Sequence, residues 1–239
     1  MLIYGRNPVL EALREGQVGQ VWVAKGVEAW LLKELDKLGA AYKLVPRIEL
    51  DQMVRTTQHQ GLVAEIEEAT YSDPEAPFRL AQKRGEQVLL VVLDGITDPR
   101  NYGALIRSAF ALGAHGVVSE ERRSAPLSAL VMKASAGTAR KIPLVQVKNI
   151  ARYLEQLKER NVWVYGTSGK ASKTIDQLDY QRPLAIVIGS EGEGMRRLVA
   201  EHCDELARIP LAQGAESLNA AVALGVVLYQ VGLSRRAVQ

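Results

Sequence analysis

The sequence predicts an α/β protein in two units, the second built on a mainly parallel sheet. Apolar runs such as VLLVVLD (88–94) and LAIVIG (184–189) read as strands buried on both faces. Helical patterns separate these runs, and strands alternating with helices imply parallel pairing. A segment with Ser-Asp-Pro and Ala-Pro, TYSDPEAPFRLAQKRGEQ (70–87), parts this region from a smaller α/β stretch.

In the first stretch, NPVLEALREG is a short helix with Pro8 near its first turn and Gly16 as its stop. QVWVA is a strand, and AWLLKELDKLG an amphipathic helix closed by Gly39. AYKLVP, RIELDQMVRT and GLVAEIEEA then read as strand, helix and strand. The expected boundaries are 1–70 for this unit, 71–84 for a linker with a helical turn or two, and 85–239 for the second unit. There, VLLVVLD is followed by a helix entered at Asp98 and Pro99 and stopped by Gly113. GVVS, IPLVQV, VWVYG, LAIVIG and ELARIPL are the later strands. NIARYLEQLKER, GMRRLVAEHC and LNAAVALGVVLYQVGLSRR are the later helices. The last is apolar almost all round, which suits deep burial or a subunit interface.

Composition bounds the function. With 47% hydrophobic and 24% charged residues, the chain is globular, and a formal charge of +3 is compatible with nucleic acid without requiring it. The single cysteine, Cys203, excludes an internal disulfide and a zinc finger, and its place in an amphipathic helix reads as core. The three histidines (His59, His115, His202) have no metal-ligand spacing, so no metal is expected. No signal segment or membrane-length apolar run is read, and a cytoplasmic protein is expected.

In open α/β sheets, ligands bind at the carboxyl ends of the strands. Four segments following predicted strands are rich in Gly and small polar residues: GITDPRN, GTSGK, GSEGEG and PLAQGAESLN. Together they point to a ligand site. GSEGEG is not the dinucleotide fingerprint G-x-G-x-x-G, and GTSGK is too short for a phosphate-binding P-loop. On the Asp98 helix, Leu105, Ile106, Ala109, Phe110 and Leu112 form the buried side, while Arg100, Gly103 and Arg107 fall on the polar side. By spacing alone, Arg107 is either a solvated helix arginine or a phosphate clamp. Ser217 reads as the N-cap of the last helix, with Asn219 in its first turn.

These residues together resemble the SpoU (TrmH-type) RNA ribose 2′-O-methyltransferases. LDGITDPRNYGALIRSAFALGAHGVV resembles the first motif, IVIGSEGEGM with ARIPL the second, and ESLNAAVALG the third, in the family's order. YGRNPVLEAL and HQGLVAEI are similar to the family's ribosomal-protein-like (L30e-like) substrate-binding domain. RSAPLS, KASAGTARKIPL and GMRRLVAEHCDEL turn the likeness toward the branch acting on guanosine in bacterial 23S rRNA.

The resemblance implies a SPOUT fold: a mainly parallel α/β sheet whose C-terminal part is a trefoil knot. It also implies S-adenosylmethionine as cofactor, RNA as partner and a homodimer. By motif position, Asn101, Arg107, Glu191, Ser217 and Asn219 are the expected catalytic residues. Thr167, Gly169, Gly189, Ile209, Leu211 and Leu218 are the expected cofactor contacts. Tyr102 departs from the family by standing where an aliphatic residue is expected, and Ala220-Ala221 by replacing the more usual Val-Ser. The activity implied is methyl transfer to the ribose 2′-hydroxyl of a guanosine in 23S rRNA. A tRNA-modifying enzyme and a non-catalytic ribosome-assembly protein are the alternatives.

Overall fold

The computed structural model describes residues 2–14, 16, 18–66 and 69–236, which fall into two compact units, 1–68 and 69–239. Three residues of expected elements, Glu15, Glu67 and Glu68, lie outside the described residues.

The first unit is built from β1 (Leu2–Tyr4), α1 (Arg6–Arg14), β2 (Val18–Ala24), α2 (Ala29–Lys37), β3 (Tyr42–Val45), α3 (Arg47–Val54) and β4 (Leu62–Ile66). Its four-stranded sheet runs β1-β4-β2-β3, with only β2 and β3 parallel. The strand β1 is an addition to the expected order; three residues carry no readable period, and pairing with β4 makes the strand. Val9, Leu10, Val21, Val23, Leu31, Leu35, Leu62 and Ala64 form its main core.

The second unit holds α4 (Ala76–Arg84), β5 (Leu89–Asp94), α5 (Pro99–Ala111), β6 (Gly116–Glu120), α6 (Ala129–Ala134), β7 (Leu144–Val147), α7 (Ile150–Glu159), β8 (Trp163–Thr167), β9 (Lys173–Thr174), β10 (Leu184–Gly189), α8 (Arg197–Glu201), β11 (Glu205–Arg208) and α9 (Ala220–Arg236). The seven strands run β7-β6-β5-β10-β8-β11-β9, and every pairing is parallel. All six residues of β5 are buried, as the apolar run predicts for a strand covered on both faces. The return of β10 to lie between β5 and β8 brings late and early segments of the unit side by side.

Residues 71–84, expected as a linker, belong to this second unit. Ser72 bridges to Val145, Ala81 of α4 is buried in the core, and Arg160 forks onto Glu75 at 2.7 and 2.9 Å. The helix α8 is shorter than the expected run from Gly194 to Cys203 because Gly194 takes a left-handed φ of 71° and Arg196 is extended at ψ 144°, neither of them helical.

One assignment along α5 changes. Gly103, expected on the polar side, is buried against α6: a Cβ there would lie 2.6 Å from Ala134 Cβ and 2.8 Å from the Val131 carbonyl. Glycine lets the two backbones approach. The neighbouring Tyr102 is fully buried, its hydroxyl 3.0 Å from Ser119 Oγ, and burial pushes its phenol far above the ordinary range.

Candidate active site

Four adjacent strands, β5, β10, β8 and β11, end on one side of the sheet. Gly189 pairs with Asp94, and Ala207 with Thr167, so their carboxyl ends are level. The expected site residues sit at these ends or in the segments after them.

Asn101 is placed by the start of α5. The Asp98 side chain accepts from Arg100 N at 2.6 Å and Asn101 N at 3.3 Å, and Pro99 occupies the first helical position, where no N–H is needed. Glu191 is placed by a tight turn: Ser190 and Gly194 exchange backbone hydrogen bonds at 3.1 and 3.0 Å, with Gly192 and Gly194 at φ of 87° and 71°. Gly189 lets this turn fold back. A Cβ there would lie 2.2 Å from the Gly194 carbonyl carbon, so its closest approach is to the protein's own backbone.

The structure joins Asn101, Glu191 and Asn219. Asn101 Nδ2 donates to Glu191 Oε1 at 3.1 Å, and Asn219 Nδ2 donates to Asn101 Oδ1 at 3.2 Å. Asn219 Nδ2 also donates to Glu191 Oε1, which accepts a third bond from Ala220 N at 3.2 Å. Ser217, expected as N-cap, does not cap α9. Asn219 does, its Oδ1 accepting from Ala221 N at 3.0 Å and Val222 N at 3.4 Å. One amide thus divides its work: the oxygen ends the helix and the nitrogen holds the carboxylate.

Arg107 and Ser217 stand apart from this network. Both are exposed, and neither side chain makes a hydrogen bond or ion pair among the described residues. Arg107 follows Asn101 along α5 by roughly 9 Å of helix axis. Among the expected cofactor contacts, Thr167 Oγ1 donates to Val187 O at 3.2 Å and so ties β8 to β10. Gly169 lies in open space. Ile209 packs half-buried against the core, Leu218 is half-buried, and Leu211 is 39% exposed.

A neighbouring network was missed from the sequence. Asp94, buried at the end of β5, accepts from Arg196 N at 2.8 Å and Arg196 Nε at 2.6 Å, and Arg196 Nη2 lies 3.0 Å from Glu120 Oε2. Burial works against the Arg196 charge, but the hydrogen bond to Asp94 and the two carboxylates outweigh it and hold its pKa above the ordinary value. The available signal was a charged residue closing an otherwise apolar strand: a buried carboxylate requires a partner. Among the described residues, no group of three or more His, Cys, Asp or Glu is placed to hold a metal ion.

A family model described as the SpoU rRNA Methylase family matches residues 88–229, and one described as RNA 2′-O ribose methyltransferase substrate binding matches residues 2–72. The chain is 42% identical over 241 residues to a Bacillus subtilis (strain 168) protein named as a TrmH family tRNA/rRNA methyltransferase, YacO, covering 99% of this chain and 96% of that one. It is also 42% identical over 237 residues to the 23S rRNA (guanosine-2′-O-)-methyltransferase RlmB of Yersinia pestis, covering 96% of each. Among solved structures it is similar to the SpoU methyltransferase AviRb from Streptomyces viridochromogenes in complex with AdoMet. The TM-score is 0.70 at 25% identity, with 99% of this chain and 91% of that one covered.

Proposed function

The chain belongs to the SpoU rRNA methylase family, and from that premise we propose that it methylates the ribose 2′-hydroxyl of a guanosine in 23S rRNA. Membership makes it an S-adenosylmethionine-dependent RNA 2′-O-methyltransferase with a SPOUT-type α/β fold. The choice of 23S rRNA guanosine is supported by the 42% identity to RlmB along nearly the whole chain. The observation that carries the site assignment is the meeting of Asn101, Glu191 and Asn219 at the carboxyl ends of the strands.

The residues after β8, β10 and β11 suit the cofactor. Ile209, Leu211 and Leu218 offer aliphatic surface. From 209 to 218, the only backbone-to-backbone bond among the described residues runs from Ala215 N to Ala212 O, which leaves amides and carbonyls available to a ligand. In our reading these residues hold S-adenosylmethionine, with Thr167, Gly169 and Gly189 shaping the neighbouring loops. When bound, the cofactor supplies a methyl group already activated on a sulfonium.

The chain's own task is to align the ribose hydroxyl and ease loss of its proton. Glu191 acts as an organiser, since its Oε1 already accepts three N–H donors. Asn101 and Asn219 fix that carboxylate and, through it, the loops from β10 and into α9. Arg107 contacts the RNA phosphate and the hydroxyl. It remains protonated in proteins, so its part is orientation and charge stabilisation. Ser217, exposed two residues before Asn219, completes the RNA-facing edge.

In the same reading residues 1–68 capture RNA, as the substrate-binding family match supports, and the reaction takes place in the cytoplasm. The segment joining β10 to α9 contains the trefoil knot expected of the SPOUT fold. The protein works as a homodimer through α9, whose Val222, Val226, Tyr229 and Leu233 are exposed. No helix of the described residues is long and apolar enough to cross a membrane.

The test is methyl transfer from labelled S-adenosylmethionine to purified 23S rRNA and, separately, to tRNA, followed by nucleoside analysis. Label in 2′-O-methylguanosine of 23S rRNA is expected. Label in tRNA alone overturns the substrate assignment, and label in neither overturns the activity.

A further inference from the structure

The first unit carries a polar cleft of about 670 Å³, walled by the beginnings of α1, α2 and α3 and by the residues that follow β2. We propose that this cleft seats an unpaired stretch of RNA, with one base stacked on Trp30 and the adjoining phosphates on Lys25 and Arg47. The inference rests on RNA being the substrate and identifies the face that receives it.

Trp30 is the central observation. The helix α2 buries Leu31 and Leu35, while Trp30 at its start stays 49% exposed. The other tryptophans, Trp22 and Trp163, pack against hydrophobic cores. A half-exposed indole facing a polar cleft is an available stacking surface.

The platform is also held in place. The Arg6 guanidinium lies 5.3 Å from the Trp30 ring centroid. Arg6 is itself fixed on three sides: its backbone N–H donates to Gln60 Oε1 at 3.0 Å, its Nε donates to Gln60 O at 3.4 Å, and its Nη2 pairs with Glu28. Little freedom is left to lose when a base arrives.

The charges of the cleft are divided. Glu28 is matched by Arg6, whereas Lys25 and Arg47 are exposed and make no side-chain hydrogen bond or ion pair among the described residues. Two unmatched cations beside an aromatic surface suit a polyanion whose bases can stack. The strand must be unpaired, because bases within an A-form duplex are stacked on one another and leave no face free for the indole.

The experiment uses the full chain, with a short unstructured RNA oligonucleotide and a blunt RNA duplex of equal length as probes. Trp30→Ala should weaken binding of the single strand by about tenfold or more. Trp30→Phe should restore most of it, and duplex binding should hardly change. Lys25→Ala and Arg47→Ala should each reduce the salt dependence of single-strand binding by roughly one counterion. S-adenosylmethionine binding, measured on the same samples, should be unaltered. Wild-type protein that ignores the single strand, or a Trp30→Ala variant that binds it normally or loses both RNAs equally, overturns the cleft assignment. These outcomes are separate from the fate of the reaction: Trp30-dependent RNA binding without methyl transfer overturns the proposed activity and leaves the cleft standing.

Discussion

Arg196 reaches Asp94 across 102 residues of chain and donates to it twice, from the backbone at 2.8 Å and from Nε at 2.6 Å. The Asp94 side chain is fully buried and that of Arg196 is 32% exposed. This clasp fixes the chain just after the turn that carries Glu191. Asp94→Asn replaces a doubly engaged carboxylate by an amide, one end of which cannot accept. Partial exposure of Arg196 tempers the loss, leaving about 2 kcal/mol of destabilisation. Urea unfolding should show it, with methyl transfer lowered as well. Arg197→Ala, which breaks an exposed pair with Glu201, should shift stability by less than about 0.5 kcal/mol.

Gly189→Ala should separate fold from function. The added methyl meets the Gly194–Met195 peptide at 2.2 Å, so the Glu191 turn must move. Methyl transfer is expected to fall by roughly two orders of magnitude, the usual cost of an ångström's misplacement. The circular dichroism spectrum should stay that of the parent. Normal turnover in this variant would remove Glu191 from the site.

Arg107→Ala should leave stability within about 0.5 kcal/mol, because the side chain is exposed and without a partner among the described residues. Single-turnover methyl transfer should drop by at least about a hundredfold, an electrostatic effect of roughly 3 kcal/mol. Arg107→Lys should also be poor, since a point charge does not replace a planar fork. Calorimetry should find cofactor affinity unchanged. A parallel collapse of that affinity would move Arg107 from the RNA to the cofactor.

The exposed residues of α9 recur at i, i+4, i+7 and i+11, a single stripe of Val222, Val226, Tyr229 and Leu233. A second copy covers that stripe in the dimer proposed above. Sedimentation at micromolar concentration should find a dimer in the parent and a monomer in Tyr229→Glu. A monomeric parent would end the proposal.

Burial pushes the Cys203 thiol up to about 12 from 9.0. Alkylation near pH 8 should therefore be slow in the folded protein and quick in denaturant. The sign for stability follows: the fold keeps the proton and the unfolded chain releases it first. This contribution is complete below about pH 9 and declines as pH rises toward 12. Fast labelling of native protein would contradict the half-buried environment of Cys203.

The strands were legible where apolar runs were continuous, as in β5 and β10, and the entry to α5 was legible in Asp98 and Pro99. Features depending on a distant partner were not. Ser and Asn are equally good N-caps, so Ser217 and Asn219 could not be ranked locally. Glu191, which engages the Asn219 amide, favours the later start. Gly103 has no side chain to declare its face, and only the approach of α6 shows it buried. The clasp of Asp94 and Arg196 joins the end of β5 to a distant loop that no local pattern connects with it.

The hydrogen bond from Asn219 to Asn101, spanning 118 residues, also sets a timetable. A growing chain that has released everything through the turn after β10 possesses Asn101 and Glu191, yet α9 has no beginning and the carboxylate lacks two of its three donors. In the proposed site, competence therefore comes late in synthesis, after the final strand and helix dock. For a protein made on a ribosome and acting on RNA, this delay leaves the nascent chain inert toward the RNA nearest to it.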